Sequence, residues 1–283
     1  MTLTNREINI RDPFVLVENG KYYMYGTRAA DFGMRTGGFD VCVGTDLEHW
    51  SAPKQVFDSA AFGLNGGSNW APEVHKYHGR YYMFATFSQE NGVRGTWSLC
   101  ADAPEGPFRP LSNGPLTPAE WWCLDGTLFV DGAAPYLVFC HEHVQILNGT
   151  VCAVPLRQDL SAPAGEPALL FYGHNAYGAL PDPERRYVTD GPFLYRGERG
   201  LYMLWSTGMR GEYAQCLAVS DNGGIDGSWL QLPPLFTKDG GHGMLFRDLA
   251  GALRLVLHRP NVSLLERPAF FFAEETAEGL CVK

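Results

Sequence analysis

Three aspartates, an alanine and a histidine head five copies of one short phrase in this chain. The copies are Asp12-Pro13-Phe14-Val15, Ala71-Pro72-Glu73-Val74, Asp125-Gly126-Thr127-Leu128, Asp190-Gly191-Pro192-Phe193 and His242-Gly243-Met244-Leu245, with heads 59, 54, 65 and 52 residues apart. If equivalent positions converge in the fold, three carboxylates and an imidazole meet at one point. Acids crowded among aromatic side chains suit hydrolysis of a glycoside, where one carboxylate activates water and another carboxyl keeps a proton for the leaving oxygen. Like charges at close range drive their proton affinities apart and so divide the roles. A single Asp-Gly is more often a turn than a catalyst. Three acids at repeat-equivalent heads are much harder to assign to turns.

These residues need elements to bring them together. After each phrase comes a turn with Gly or Asp, then an apolar run rich in aromatics, as in Tyr22-Tyr23-Met24-Tyr25, Tyr81-Tyr82-Met83-Phe84 and Tyr202-Met203-Leu204-Trp205. In the first unit, strands are expected over 13–17, 22–26, 40–44 and 54–57. Third strands follow at 95–101, 151–154 and 215–219, and the second unit's fourth strand begins at 108–111. Asn19-Gly20, His78-Gly79, Asp131-Gly132 and Asp221-Asn222-Gly223-Gly224 supply hairpin turns. No long amphipathic helix is evident. A four-stranded unit repeated at this period predicts an all-β chain. The architecture expected is a single five-bladed β-propeller of four-stranded antiparallel blades over residues 1–283, with blades starting near residues 11, 70, 124, 189 and 241.

Strand one of each blade then lines the central channel, and strand two runs back to the mouth where strand one began. Connectivity alone therefore gathers Asp12, Asp125, Asp190, Glu142, His242 and Arg28 at one mouth. Trp70 stands beside Ala71, and Trp121 and Trp122 just before Asp125, as flat faces for sugar rings. Arg267 and Arg259 in the last unit are candidates to pair with the acids. Glu73 reads as a channel or packing residue.

Composition narrows the partners. The chain is 45% hydrophobic and 19% charged, which is globular. A formal charge of −9 and no basic stripe argue against a nucleic-acid partner. No run is long enough to span a membrane, and the first ten residues do not read as a secretory signal. Seven cysteines without a CxxC pair read as buried thiols. A cytoplasmic protein acting on an oligosaccharide is expected, and nothing in the sequence fixes an oligomeric state.

The ordered set Arg11-Asp12-Pro13-Phe14-Val15, Trp70-Ala71-Pro72-Glu73-Val74-His75, Leu124-Asp125-Gly126-Thr127, Asp190-Gly191-Pro192-Phe193-Leu194-Tyr195 and Gly240-Gly241-His242-Gly243-Met244 resembles glycoside hydrolase family 43 over almost the full length. The resemblance implies a five-bladed propeller that cleaves arabinosides or xylosides with inversion. It implies Asp12 as general base and Asp125 as the acid that tunes and orients the proton donor. His242 would lie under the sugar pocket, where calcium or another cation is expected, usually through water; no organic cofactor is expected. The family's usual donor is a Glu before Gly-Pro in blade four, and here that residue is Asp190. An Asp is one methylene shorter, which sets its proton about an ångström further from a fixed oxygen. Asp190 is preferred as donor over Glu142, and a propeller that binds sugar without efficient cleavage is the competing reading. A phosphorylase or a fructoside-cleaving propeller is a third, without a cationic cluster at the heads to hold phosphate. The expected activity is exo-acting removal of arabinofuranosyl or xylosyl units from plant-type oligosaccharides.

Overall fold

The computed structural model describes residues 2–31 and 37–283, and over them nearly all regular structure is strand. Blade one contains β2 (Ile10–Glu18), β3 (Lys21–Arg28), β4 (Gly38–Gly44) and β6 (Lys54–Asp58), with β1 (Thr2–Thr4) and β5 (His49–Ser51) forming a small ribbon at its edge. Blade two is β7 (Trp70–Tyr77), β8 (Arg80–Ser88), β9 (Arg94–Ala101) and β10 (Arg109–Pro110). Blade three is β11 (Cys123–Asp131), β12 (Ala134–His141), β13 (Thr150–Pro155) and β14 (Ala168–Tyr172). Blade four is β15 (Asp190–Arg196), β16 (Leu201–Met209), β17 (Glu212–Ser220) and β18 (Trp229–Phe236). Blade five is β19 (Gly241–Arg247), β20 (Leu253–Arg259), β21 (Arg267–Thr276) and β22 (Gly279–Val282). The architecture is the expected five-bladed propeller of antiparallel sheets.

The second strand of each blade is a continuous apolar run because both of its faces are covered by neighbouring blades. Met24, Tyr25, Met83, Phe84, Val138, Phe139, Met203, Leu204, Leu255 and Val256 have no exposed surface. Four apolar clusters fill the spaces between blades and hold the ring. The turns behave as their residues require: Asn19-Gly20 and His78-Gly79 have positive φ at both positions, the geometry of a two-residue hairpin. Five cysteines are buried in this packing, whereas Cys100 and Cys281 are half-buried. The one α-helix among the described residues, α1 (His143–Ile146), follows directly on Glu142.

Each first strand opens with a β-bulge, and the bulges build the channel mouth. Pairing with the second strand slips between Arg11 and Phe14, Trp70 and Glu73, Leu124 and Thr127, Asp190 and Phe193, and Gly241 and Met244. The first residue inside each slip has positive φ: Asp12 at 53°, Ala71 at 46°, Asp125 at 57°, Gly191 at 52° and His242 at 50°. This corrects the alignment of the fourth phrase. Gly191, not Asp190, is the equivalent of Asp12 and Asp125, and Asp190 matches Arg11, Trp70, Leu124 and Gly241. The prolines show why: Pro192 occupies the bulge position of Pro13 and Pro72. Aligning aspartate with aspartate shifts that phrase by one residue.

Left-handed backbone at non-glycine residues costs about 1–2 kcal/mol each and persists only where surroundings impose it. Here the surroundings are hydrogen bonds from one blade to the next. The Ala71 N–H donates to Thr27 Oγ1 at 2.7 Å, Asp125 N–H to Thr86 Oγ1 at 2.9 Å, and His242 N–H to Ser206 Oγ at 2.7 Å. The Asp12 N–H donates to His258 Nδ1 at 3.1 Å, which closes the ring. In register, the acceptor position of blade three is Cys140, paired opposite Leu124. A thiol is a poor acceptor, and the carboxylate of Asp125 takes its place, receiving the Gly191 N–H on Oδ2 at 3.0 Å.

Candidate active site

The bulges place Asp12, Asp125 and His242 side by side on the axis. His242 Nδ1 lies 3.1 Å from Asp12 Oδ1 and 3.7 Å from Asp125 Oδ2. Asp12 is buried, which alone would raise its pKa, but His242 and Arg11 nearby and a 2.7 Å hydrogen bond donated by Thr27 Oγ1 hold it below the ordinary value. Burial works against charge on His242 too, yet Asp12, Asp125, Asp190 and Glu73 together raise its pKa. Asp12 is thus an anion beside a cation, as a group that accepts a proton from water must be.

Asp125 differs. Burial pushes its pKa up to about 8, with the charges of Asp190 and Asp12 adding to the rise and His242 opposing it. Asp190 is raised as well, chiefly by burial, while His143, His242 and the Tyr213 hydroxyl oppose the rise. Tyr213 Oη donates to Asp190 Oδ2 at 3.0 Å. Glu142, at the end of blade three's second strand, is pushed up to about 7 by burial, with Asp190 raising it further and Arg94 opposing. The site therefore contains one carboxyl held ionised and several held toward the protonated form, the asymmetry that acid–base hydrolysis needs.

These groups line a cavity of about 170 Å³, walled by Arg11, Trp70, Leu124, His143 and Tyr213 as well as by the four acids and His242. Larger hollows lie elsewhere; one of about 460 Å³ sits between β18 and β22 and its walls carry none of these acids. Behind the cavity wall, Arg94 is layered between two indoles, 5.1 Å from the Trp70 ring and 4.9 Å from the Trp122 ring. Its Nε stands 3.2 Å from Glu142 Oε2.

Other residues expected at the mouth sit elsewhere. Arg28 turns to Asp40, with Nε 2.7 Å from Oδ2, and is not part of the cavity wall. Trp121 stacks on His141 with ring centroids 4.3 Å apart, and Trp122 lies against Arg94 and is not part of the cavity wall. Arg267 ties the carbonyls of Arg6 and Glu266 at 2.8 and 2.7 Å, a seam contact rather than a site contact. Arg259 lies over Phe236. The arginine beside the acids is Arg11, braced by Glu266 at 2.7 Å and Asn261 at 3.0 Å. Its position next to Asp12 in sequence was the available signal. His143 adjoins Glu142 in the same way, whereas Tyr213, Arg94 and His258 carried no signal, because each sits on a strand whose facing is set only by the closed ring.

His242 is the residue expected beside a cation. Nε2 of His242 is buried without a hydrogen-bond partner. Among the described residues, however, no group of three His, Cys, Asp or Glu side chains is arranged to hold a metal ion. Calcium takes about six to eight oxygen ligands, and one imidazole nitrogen does not fit that requirement by direct ligation. Also among the described residues, no helix is long and apolar enough to cross a membrane.

Residues 7–277 match the Glycosyl hydrolases family 43 profile. The chain is 36% identical to a solved endo-arabinase from Bacteroides thetaiotaomicron, covering 97% of this chain and 98% of that one with a TM-score of 0.87. An α-L-arabinofuranosidase from Lactobacillus brevis shares the fold at 17% identity, with a TM-score of 0.76 over 97% of this chain and 93% of that one. Among curated proteins, Alpha-L-arabinofuranosidase 43 of Humicola insolens is 34% identical over 105 residues, 32% of this chain and 20% of that protein's length.

Proposed function

The chain belongs to glycosyl hydrolases family 43, a family of inverting glycoside hydrolases, and from that premise we propose that it removes single arabinofuranosyl or xylosyl units from plant-type oligosaccharides. The observation that carries the exo reading is the cavity. At about 170 Å³ it is well below the roughly 300–1,000 Å³ of pockets that take drug-sized ligands, and it suits one pentose ring better than a run of them. The arabinose side of the proposal is supported by the similarity to the endo-arabinase and to the Humicola insolens arabinofuranosidase.

In this reading the sugar sits over the bulge ring with its anomeric carbon above Asp12. Asp12 Oδ accepts a proton from water as the water oxygen attacks. His242 keeps Asp12 ionised, and Asp125 holds the bulge of blade four through Gly191 while its charge state tunes the carboxyls around it. The proton for the leaving oxygen comes from the far wall, where Asp190 and Glu142 both face the cavity. No step is routed through a cation.

Incubation with aryl α-L-arabinofuranoside, aryl β-D-xyloside and linear arabino-oligosaccharides tests the proposal. Release of monosaccharide from the first minutes, with anomeric inversion by NMR and loss of turnover in Asp12→Asn, is the expected result. Early release of di- and trisaccharides would replace exo with endo action, the reading that the similarity to the endo-arabinase favours. Undiminished turnover in Asp12→Asn would remove Asp12 as base.

A further inference from the structure

The hairpin that carries Tyr213 separates two cavities. β16 and β17 pair with Gly208 opposite Tyr213 and Met209 opposite Glu212. Opposite residues of an antiparallel pair share a face of the sheet, and successive residues alternate between faces. Tyr213 lines the catalytic cavity, while Met209 and Glu212 line a second one of about 280 Å³. The wall between the two is one sheet thick. Tyr177, Arg210, Pro234 and Thr237 stand around the outer cavity. Second strands return to the mouth and third strands start there, so this hollow opens on the same face as the acids. By the same connectivity the hollow between β18 and β22, beside the turn from Thr276 to Gly279, lies at the other end of the propeller.

A proton donor must touch the leaving oxygen, and both carboxyls able to serve stand on the far wall of the catalytic cavity. Sugar units beyond that oxygen therefore run out over that wall, toward blade four. Asp190 is tied to the Tyr213 hydroxyl at 3.0 Å, so the hairpin lies next along that route. The hairpin has a gap there. Gly208 shares the face of Tyr213, and a Cβ added to it would meet nothing within 4 Å. Beside Tyr213 there is thus open space in place of a side chain. The outer walls suit an uncharged sugar. Tyr177 is 62% exposed and offers a ring face. Arg210 donates, Glu212 accepts, and the Thr237 hydroxyl does both, as sugar hydroxyls do. A lone arginine would favour a carboxylate or phosphate, but with Glu212 in the same wall the lining carries no net charge. The outer cavity exceeds the catalytic one by more than half, which leaves room for at least one further unit where the inner cavity takes one.

We propose that the cavity between the 173–189 loop and the β16–β17 hairpin binds the leaving-group side of a neutral pentose oligosaccharide, with Tyr177, Arg210 and Glu212 as its contacts and Gly208 as the gap the chain crosses. The inference rests on the hydrolase reading given above. The inner cavity then selects the unit that is removed, and the outer one selects for the presence of a chain behind it. Aryl glycosides carry no second sugar and engage the inner cavity alone. Contacts made in the outer cavity are present before and during bond cleavage alike, so they act on KM more than on kcat.

The test compares the full chain with its Tyr177→Ala, Arg210→Met and Gly208→Phe variants on aryl α-L-arabinofuranoside, aryl β-D-xyloside and arabino- and xylo-oligosaccharides of two to five units. In the wild type, kcat/KM should rise from two units to three or four and then level off. Tyr177→Ala and Arg210→Met should each lose about 5–30-fold in kcat/KM on the trisaccharide, mostly through KM, and less than about twofold on the aryl glycosides. Gly208 has no left-handed φ and open space at its Cβ, so Gly208→Phe should keep the wild-type Tm and show the same pattern by blocking the gap. Titration calorimetry of Asp12→Asn with the trisaccharides reads binding apart from turnover, and adding Tyr177→Ala should weaken it by a similar factor. Oligosaccharide kinetics and trisaccharide binding unchanged in these variants, or losses equal on aryl glycosides and oligosaccharides, overturn the site while leaving the hydrolase intact. A wild type that cleaves none of these substrates overturns the site together with the substrate reading.

Discussion

Oδ1 of Asp12 in blade one lies 3.1 Å from Nδ1 of His242 in blade five, so the first and last heads of the ring form one buried ion pair. The cation on His242 is the foremost of the neighbours that hold Asp12 ionised. Replacing it in His242→Gln should raise the pKa of Asp12 and move the acidic limb of kcat/KM upward, by about one unit or more for an opposite charge at this range. A pH–rate profile with an unmoved acidic limb would show that the two residues are not paired as ions.

Arg94 touches both tryptophans and the outer acid, and its removal should act on binding and on pH together. Each cation–π contact is worth roughly 0.5–1 kcal/mol. In Arg94→Met, the loosened Trp70 wall should raise KM severalfold. Arg94 also lowers the pKa of Glu142, so Glu142 should titrate at higher pH in this variant, and the rate profile should follow it if Glu142 donates the proton. Steady-state kinetics across pH would check both, and a change in kcat alone would contradict the role given to the stacked indoles.

Gly191 is the one glycine among the five positive-φ residues that open the bulges, and its neighbour explains it. A Cβ built there would lie 2.6 Å from the ring of His242, and the residue's φ is +52°. Gly191→Ala should therefore cost about 1–3 kcal/mol in stability through strain and overpacking. The displaced imidazole should also depress kcat. Thermal melts alongside turnover measurements decide it; an alanine variant with wild-type Tm and rate would mean that the ring tolerates a shifted His242.

Glu142 also makes a stability prediction that is separate from catalysis. Its folded pKa, about 7, lies above the ordinary 4.5. The folded state therefore holds the proton more tightly than the unfolded one, and stability falls as pH rises from about 4.5 through about 7. Glu142→Gln removes that titration. Its Tm should equal or slightly differ from wild type at pH 5 and exceed it by several degrees at pH 8, for a term on the order of 2 kcal/mol. A Tm difference that stays constant over this range would show that the carboxyl ionises normally.

Much of the architecture was legible because the same phrase recurs at blade spacing, and a period of that kind has few structural solutions. Asp12, Asp125 and His242 were legible for the same reason: each stands first in a bulge. Asp190 was misplaced by one residue because its phrase was aligned on residue type, whereas the backbone aligns Pro192 with Pro13 and Pro72. Arg28 and Arg267 were read from charge and location alone, and the ring gave them Asp40 and seam carbonyls instead. Tyr213 and Arg94 lie on third strands that reach the site only once neighbouring blades have closed. Sequence period says which strand a residue is on, but not which cavity its side chain meets.

The carboxylate of Asp12 belongs to blade one, yet its backbone is fixed by His258 and its charge by His242, both in blade five. As the chain leaves the ribosome, four sheets have the residues to pair before either imidazole has been synthesised. Residue 12 waits through all of that time without its counter-charge. Between the same two blades no strand is shared, and Glu266 with Arg11 and Arg267 with the Arg6 carbonyl make the join. Hydrolytic competence therefore waits for blade five, and the onset of turnover during refolding would serve as a clock for closure of the ring.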